Sequence, residues 1–119
     1  MIKGIGIDII ELERIEVSVR SSAKLAGRIL TENEKKIYDN LKSESRKVEF
    51  LAGRFAAKEA IAKAFGTGIG KLSFKHMEVL PDTNGAPEAK VKNYEESRIF
   101  ISITHSRDYA VAQAVIEGQ

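Results

Sequence analysis

The chain has 119 residues, no cysteine, and a net charge of +2 from 19 Lys and Arg against 17 Asp and Glu. That length suits one domain, residues 1–119, burying roughly two-thirds of its unfolded surface, and the lack of cysteine excludes a disulfide framework or a thiolate zinc site. The small charge gives no argument for nucleic acid, no apolar run approaches the ~20 residues of a membrane span, and without a charged-then-apolar leader the default location is cytoplasmic.

The first predicted element, Ile2 to Leu12, is a β-branched run with Ile5, Ile7 and Ile9 on one strand face and Asp8 on the other. Aspartate is depleted in strands, and its charge is costly to bury without a partner. Gly4 and Gly6 weaken a strand unless a backbone or a ligand approaches there. Asp8 is therefore either a structural acid paired with a nearby arginine or a metal ligand at a strand end. Two carboxylates that leave positions for water and substrate phosphate would suit magnesium, a hard cation.

Glu11 to Arg28 reads as one helix or two short ones, with Leu12, Ile15 and Val19 on one side. Glu11, Glu13 and Glu16 come early, and Arg20, Lys24 and Arg28 make the later half purely cationic. Alone, this is a solvated charged face. Thr31-Glu32-Asn33-Glu34 is a capping box that opens a short helix through about Leu41. Ser43-Glu44-Ser45 supplies a break and a new cap.

The long helix runs from about Arg46 to Phe65 and stops at Gly66. At roughly 100° per residue, Glu59 and Lys63 share a face with Ala52, Ala56 and Ala60, with Gly53 at its edge. Val48, Phe50, Leu51, Phe55, Ile61 and Phe65 fill the other side. Glu59 and Lys63 are either an ordinary i,i+4 pair, worth a few tenths of a kcal/mol, or a charged site kept clear for another surface or a ligand. Lys47, Arg54 and Lys58 form a cationic stripe inside the apolar arc, where such side chains snorkel or meet an anion.

Gly66-Thr67-Gly68-Ile69-Gly70 follows a helix and no strand, so it reads as a C-cap with a tight exit rather than a phosphate loop. Ser73 to Leu80 and Glu88 to Lys92 read as strands around the Pro81–Gly85 turn. Ile99, Ile101 and Ile103 then alternate with Phe100, Ser102 and Thr104, the period of a half-buried strand. His105 and Ser106 end it, and Tyr109 to Ile116 resumes, giving a hairpin. His105 is either a surface or capping residue or a catalyst; no G-x-S-x-G elbow or nucleophile triad accompanies it. Strand, helices, then strands is the order of an α+β protein, with a largely antiparallel sheet packed against the long helix.

Gly6-Ile7-Asp8, Phe-x-x-Lys-Glu-Ala-x-x-Lys at 55–63 and Ser-Ile-Thr-His-Ser at 102–106 together resemble the small phosphopantetheinyl transferases over nearly the whole chain. The resemblance implies their fold and a homotrimer with active sites between subunits. It also implies transfer of 4′-phosphopantetheine from coenzyme A to a serine of apo-acyl carrier protein, with release of adenosine 3′,5′-bisphosphate, in fatty acid biosynthesis. Asp8 and Glu59 would hold Mg²⁺, with Mn²⁺ the alternative, and Lys63 would add charge at the phosphates; these three are the catalytic candidates. Thr104, His105 and Lys63 would contact coenzyme A. Arg46, Lys47 and Arg54 are candidates, by their charge, for its 3′-phosphate. Acidic carrier protein would dock on Arg14, and with it Arg20, Lys24 and Arg28. The general base stays open between Glu59, a metal-held water and Lys63. Two rivals stand beside the transferase: a binding module that holds coenzyme A without turnover, and a nucleic-acid binder. The second is disfavoured by the lack of stacking rings among the basic positions.

Overall fold

The computed structural model describes residues 1–66 and 72–118. In chain order these form β1 (Ile2–Glu11), α1 (Leu12–Ser21), α2 (Lys24–Ile29), α3 (Glu32–Asn40), α4 (Glu44–Phe65), β2 (Met77–Pro81), β3 (Pro87–Val91), β4 (Arg98–His105) and β5 (Tyr109–Glu117). The local signals act as read. The Thr31 hydroxyl accepts from Glu34 N–H, and Glu34 accepts in return from Thr31 N–H, closing the capping box of α3. Ser43 caps α4 through Arg46 N–H, and Gly66 ends it with φ of 75°. Thr67 to Gly70 lies outside the described residues.

One segment differs from its reading. Ser73 to His76 is not strand: Phe74–His76 is a 3₁₀ turn, and β2 begins only at Met77. The carbonyl oxygen of Phe74 accepts from Met77 N–H, closing the turn, and from Lys58 Nζ at 3.1 Å.

The sheets are antiparallel, with order β1-β5-β4 in one and the β2–β3 hairpin as the other. Helix α4 crosses the first sheet, and register places Gly6, Ala114 and Ile101 in one row and Asp8, Ala112 and Ile103 in the next. Ala110, Ala112 and Ala114 are fully buried against Ala52, Ala56 and Ala60 of the helix. The small-residue face of α4 is thus covered by the chain's own sheet, and only its rim near Lys63 stays open. A Cβ at Gly4 would collide with the carbonyl of Ala64, and one at Gly6 with that of Ala60. The approaching backbone anticipated at these glycines is therefore that of α4.

Alternation then turns the other β1 face outward. Ile5, Ile7 and Ile9 are more than half exposed, and on β4 so is half of Phe100. Rows Ile5–Val115–Phe100 and Ile9–Val111–Thr104 give this outer sheet face an apolar patch, with Gln113 and Ser102 between them in the row of Ile7.

Candidate active site

Strand β1 and helix α4 bring Asp8, Glu59 and Lys63 to one edge. Lys63 Nζ lies 3.1 Å from Asp8 Oδ1 and donates a second hydrogen bond of 2.9 Å to the carbonyl oxygen of Ile7. The structural partner of Asp8 is thus a lysine, not the arginine considered from sequence. The Lys63 side chain is 51 % exposed and that of Asp8 16 %, so solvent reaches the pair. Burial pushes the Glu59 carboxyl above the usual carboxylate range; the Asp8 charge adds to the rise and Lys63 opposes it. Such coupling means that the two carboxylates are neighbours.

Among the described residues, no three His, Cys, Asp or Glu side chains converge. The donor set is therefore two carboxylates with the remaining positions open. That is the set magnesium takes when water and substrate phosphates complete its shell, so the residues present fit this ion.

The other expected contacts lie elsewhere in the chain. His105 ends β4, which β5 separates from β1. His105 Nδ1 is 3.7 Å from Glu49 Oε2, and Arg46 Nε is 4.0 Å from Glu49 Oε1. Glu49 precedes Glu59 by ten residues on α4, about 15 Å along the axis at 1.5 Å per residue. Thr104 faces outward and is exposed. Within one chain, then, His105 and Arg46 gather around Glu49, and none of these meets Asp8 or Glu59.

The cations divide by their partners. Arg54 lies 4.2 Å from the Phe50 ring centre, donates to the carbonyl of Val79 at 3.1 Å, and has its pKa lowered by burial. It is half-buried. Lys47 lies 5.3 Å from the Tyr38 ring centre. Arg20 bridges Glu16 at 3.5 Å and Glu44 at 3.1 Å, tying α1 to α4. Arg14, Lys24 and Arg28 are exposed, and no ion pair of the described residues includes them.

The buried cation of the stripe is Lys58, and it meets Glu34 at 2.6 Å with both side chains fully buried. Burial pushes the Lys58 pKa down and Glu34 opposes the fall. Sequence offered Glu34 only as a helix cap; its second task was legible, at most, as an anion owed to the stripe. Two clefts of about 500 and 550 Å³ flank the helices. Glu11, Glu13, Glu16, Glu49 and Asp108 make the first acidic. Neither is lined by Asp8, Glu59 or Lys63, which stand on an open rim.

Known proteins resemble this chain in sequence and fold. The profile of the 4′-phosphopantetheinyl transferase superfamily matches residues 4–114. Holo-[acyl-carrier-protein] synthase of a Geobacillus species is 60% identical over 118 residues, covering 98% of both chains. The protein of that name from Oceanobacillus iheyensis is 56% identical over 117 residues, again covering 98% of each. A crystal structure of holo-(acyl-carrier-protein) synthase from Bacillus anthracis, in complex with CoA (3′,5′-ADP), superposes with a TM-score of 0.91. It is 52% identical, covering 100% of this chain and 99% of that one.

Proposed function

Because the chain belongs to the 4′-phosphopantetheinyl transferase superfamily, we propose that it acts as a Mg²⁺-dependent holo-acyl-carrier-protein synthase with its chemistry at Asp8, Glu59 and Lys63. The match over residues 4–114 supports treating residues 1–119 as one such domain. The substrates are coenzyme A, found bound to the similar Bacillus anthracis protein, and apo-acyl carrier protein. The observation that carries this reading is the pairing of two carboxylates beside one exposed lysine on a solvent-reached edge.

In the reaction a carrier serine oxygen forms a bond to the phosphorus that bears pantetheine. The bond from that phosphorus to the bridging oxygen breaks, and adenosine 3′,5′-bisphosphate leaves with the electron pair. Asp8 and Glu59 would hold the Mg²⁺, which would supply Lewis acidity and a template for the pyrophosphate. Lys63 adds a point charge at the phosphates. We assign the serine proton to Glu59, whose carboxyl is given a raised proton affinity by burial and by the Asp8 charge. Coenzyme A contacts fall to Lys63, Thr104, His105 and Arg46, with Lys47 and Arg54 supporting from their ring contacts. Carrier docking falls to Arg14, Lys24 and Arg28, with Arg20 as their brace.

The separation of His105 and Thr104 from Glu59 within one chain supports a site shared between subunits. The apolar outer face of Ile5, Ile7, Ile9 and Phe100 is the surface we assign to a homotrimer. Ile7→Glu is expected to give monomers with little activity, read by light scattering and carrier loading; a fully active monomer would overturn the shared site. We place the enzyme in the cytoplasm, supporting fatty acid biosynthesis; no described helix is long and apolar enough to cross a membrane.

The test is mass spectrometry of apo-carrier protein incubated with coenzyme A, Mg²⁺ and this protein. One added phosphopantetheine on serine is the expected product. An unmodified carrier, despite bound coenzyme A, would favour the binding-module reading.

A further inference from the structure

Lys58 is the one fully buried cation among the described residues. Its three ammonium donors all have acceptors: the carbonyl of Ile29 at 2.7 Å, Glu34 Oε1 at 2.6 Å and the carbonyl of Phe74 at 3.1 Å. Each acceptor lies in a different segment: the last residue of α2, the first turn of α3, and the turn that leads into β2. Glu34 carries the connection further. Its Oε1 also accepts from Thr31 N–H at 2.8 Å, and its Oε2 accepts from Val79 N–H at 2.7 Å. No buried side-chain nitrogen or oxygen of the described residues is left unsatisfied.

The position of this node in the chain gives it a function. Lys58 is bonded to Glu59 on α4, and Ile29 is bonded to Arg28 on α2. A six-residue helix such as α2 has little stability of its own, so its place depends on tertiary contacts: the core packing of Ala26 and Ile29 and the bond at its end. A tetrahedral ammonium with three acceptors constrains direction as well as distance, which an apolar contact does not. As a device for stability alone, a buried ion pair is poor, because apolar residues often serve as well.

We propose that Lys58 is a positioning residue: its buried ammonium holds α2 and α3 in fixed register with Asp8 and Glu59, so that a carrier docked on Arg14, Lys24 and Arg28 presents its serine to the catalytic edge. This rests on the transferase reading above. Lys58 touches neither substrate, and it acts through Ile29 and Glu34.

The test pairs two substitutions, Lys58→Met with Glu34→Gln. The amide keeps a carbonyl oxygen for a backbone N–H and removes the charge that Lys58→Met alone would strand. The folded double variant is expected to bind coenzyme A with unchanged Kd by calorimetry. Its kcat/KM for apo-carrier is expected to fall about 10²-fold, the cost of roughly 1 Å of misplacement, with the larger part in KM. Parental carrier kcat/KM in the folded double variant would overturn the proposal while leaving the transferase reading intact. Failure of the unmodified protein to load carrier would overturn both. Native-state hydrogen exchange on the unmodified protein decides the matter even where the variant does not fold. The amides of α2 and of Val79 should open together with the Lys58 turn of α4. Amides of α2 that exchange far faster than that turn would show that the ammonium does not hold the helix.

Discussion

Lys58 and Lys63 stand on the same helix, and each meets one carboxylate, yet the two pairs have opposite characters. Lys58–Glu34 is dry, 0% exposed on both sides, and every donor and acceptor in it is engaged. Lys63–Asp8 is half open, and its neighbour Glu59 carries a raised pKa. A charge pair sealed from water holds geometry, because it has no other partner to turn to. A pair at the rim can exchange partners, which is what a site for metal and phosphate requires.

The contrast predicts its largest effect in stability. Lys58→Met strands the Glu34 carboxylate and should cost about 3–5 kcal/mol in denaturant melts. Lys63→Met should stay within about 0.5 kcal/mol, as for an exposed pair. Equal losses would erase the distinction.

Activity should reverse the order. Glu59→Gln or Asp8→Asn is expected to lower carrier loading by about 10²–10³-fold at saturating Mg²⁺, with circular dichroism unchanged. Excess chelator should do the same to the parent protein. Full turnover in either variant would remove the two acids from the chemistry.

The raised Glu59 pKa sharpens the comparison through pH. A carboxyl whose folded pKa lies above its unfolded value binds its proton more readily in the folded state. Folding stability therefore falls as pH rises from the ordinary carboxylate range through the raised folded value. In chelator, Glu59→Gln should thus melt no lower than the parent at neutral pH. Any gain should vanish in acid, where the parent is protonated too. A neutral-pH loss as large as that of Lys58→Met would contradict this.

The smallest effects separate Arg14 from Arg20. Arg14→Glu is expected to raise carrier KM about tenfold and to flatten its salt dependence. Arg20→Ala, which removes a brace between Glu16 and Glu44, should alter KM less than about threefold. Coenzyme A binding should follow neither.

Elements with local causes were legible in the sequence. The capping box at Thr31, the Ser43 cap, the Gly66 stop and the alternation of Ile99, Ile101 and Ile103 each act within a few residues. The pairing of Asp8 with Glu59 was reached through resemblance, and here the backbone delivers it. What stayed hidden depends on distant partners. Ser73 to His76 has strand-like composition, yet it turns, with the Phe74 carbonyl accepting from both Met77 N–H and the distant Lys58. The alanine face of α4 looked open to a ligand, but Gly4, Gly6 and the β5 alanines close it. By its charge Arg54 reads as a phosphate contact, and its packing on the Phe50 ring was not legible from sequence.

The pairing of β1 with β5 carries a temporal consequence. Asp8 is among the first residues of the chain, and Ala112, its cross-strand neighbour, is among the last. Closing a loop of that size is slow compared with local helix formation. During synthesis, α1 to α4 emerge and form local contacts while β1 has no partner strand. Residues 109–117 must leave the ribosome before that ladder can form. The β1–β5 ladder beside Asp8 is therefore among the last parts of the fold to form, after β1 and α4 are both available to each other.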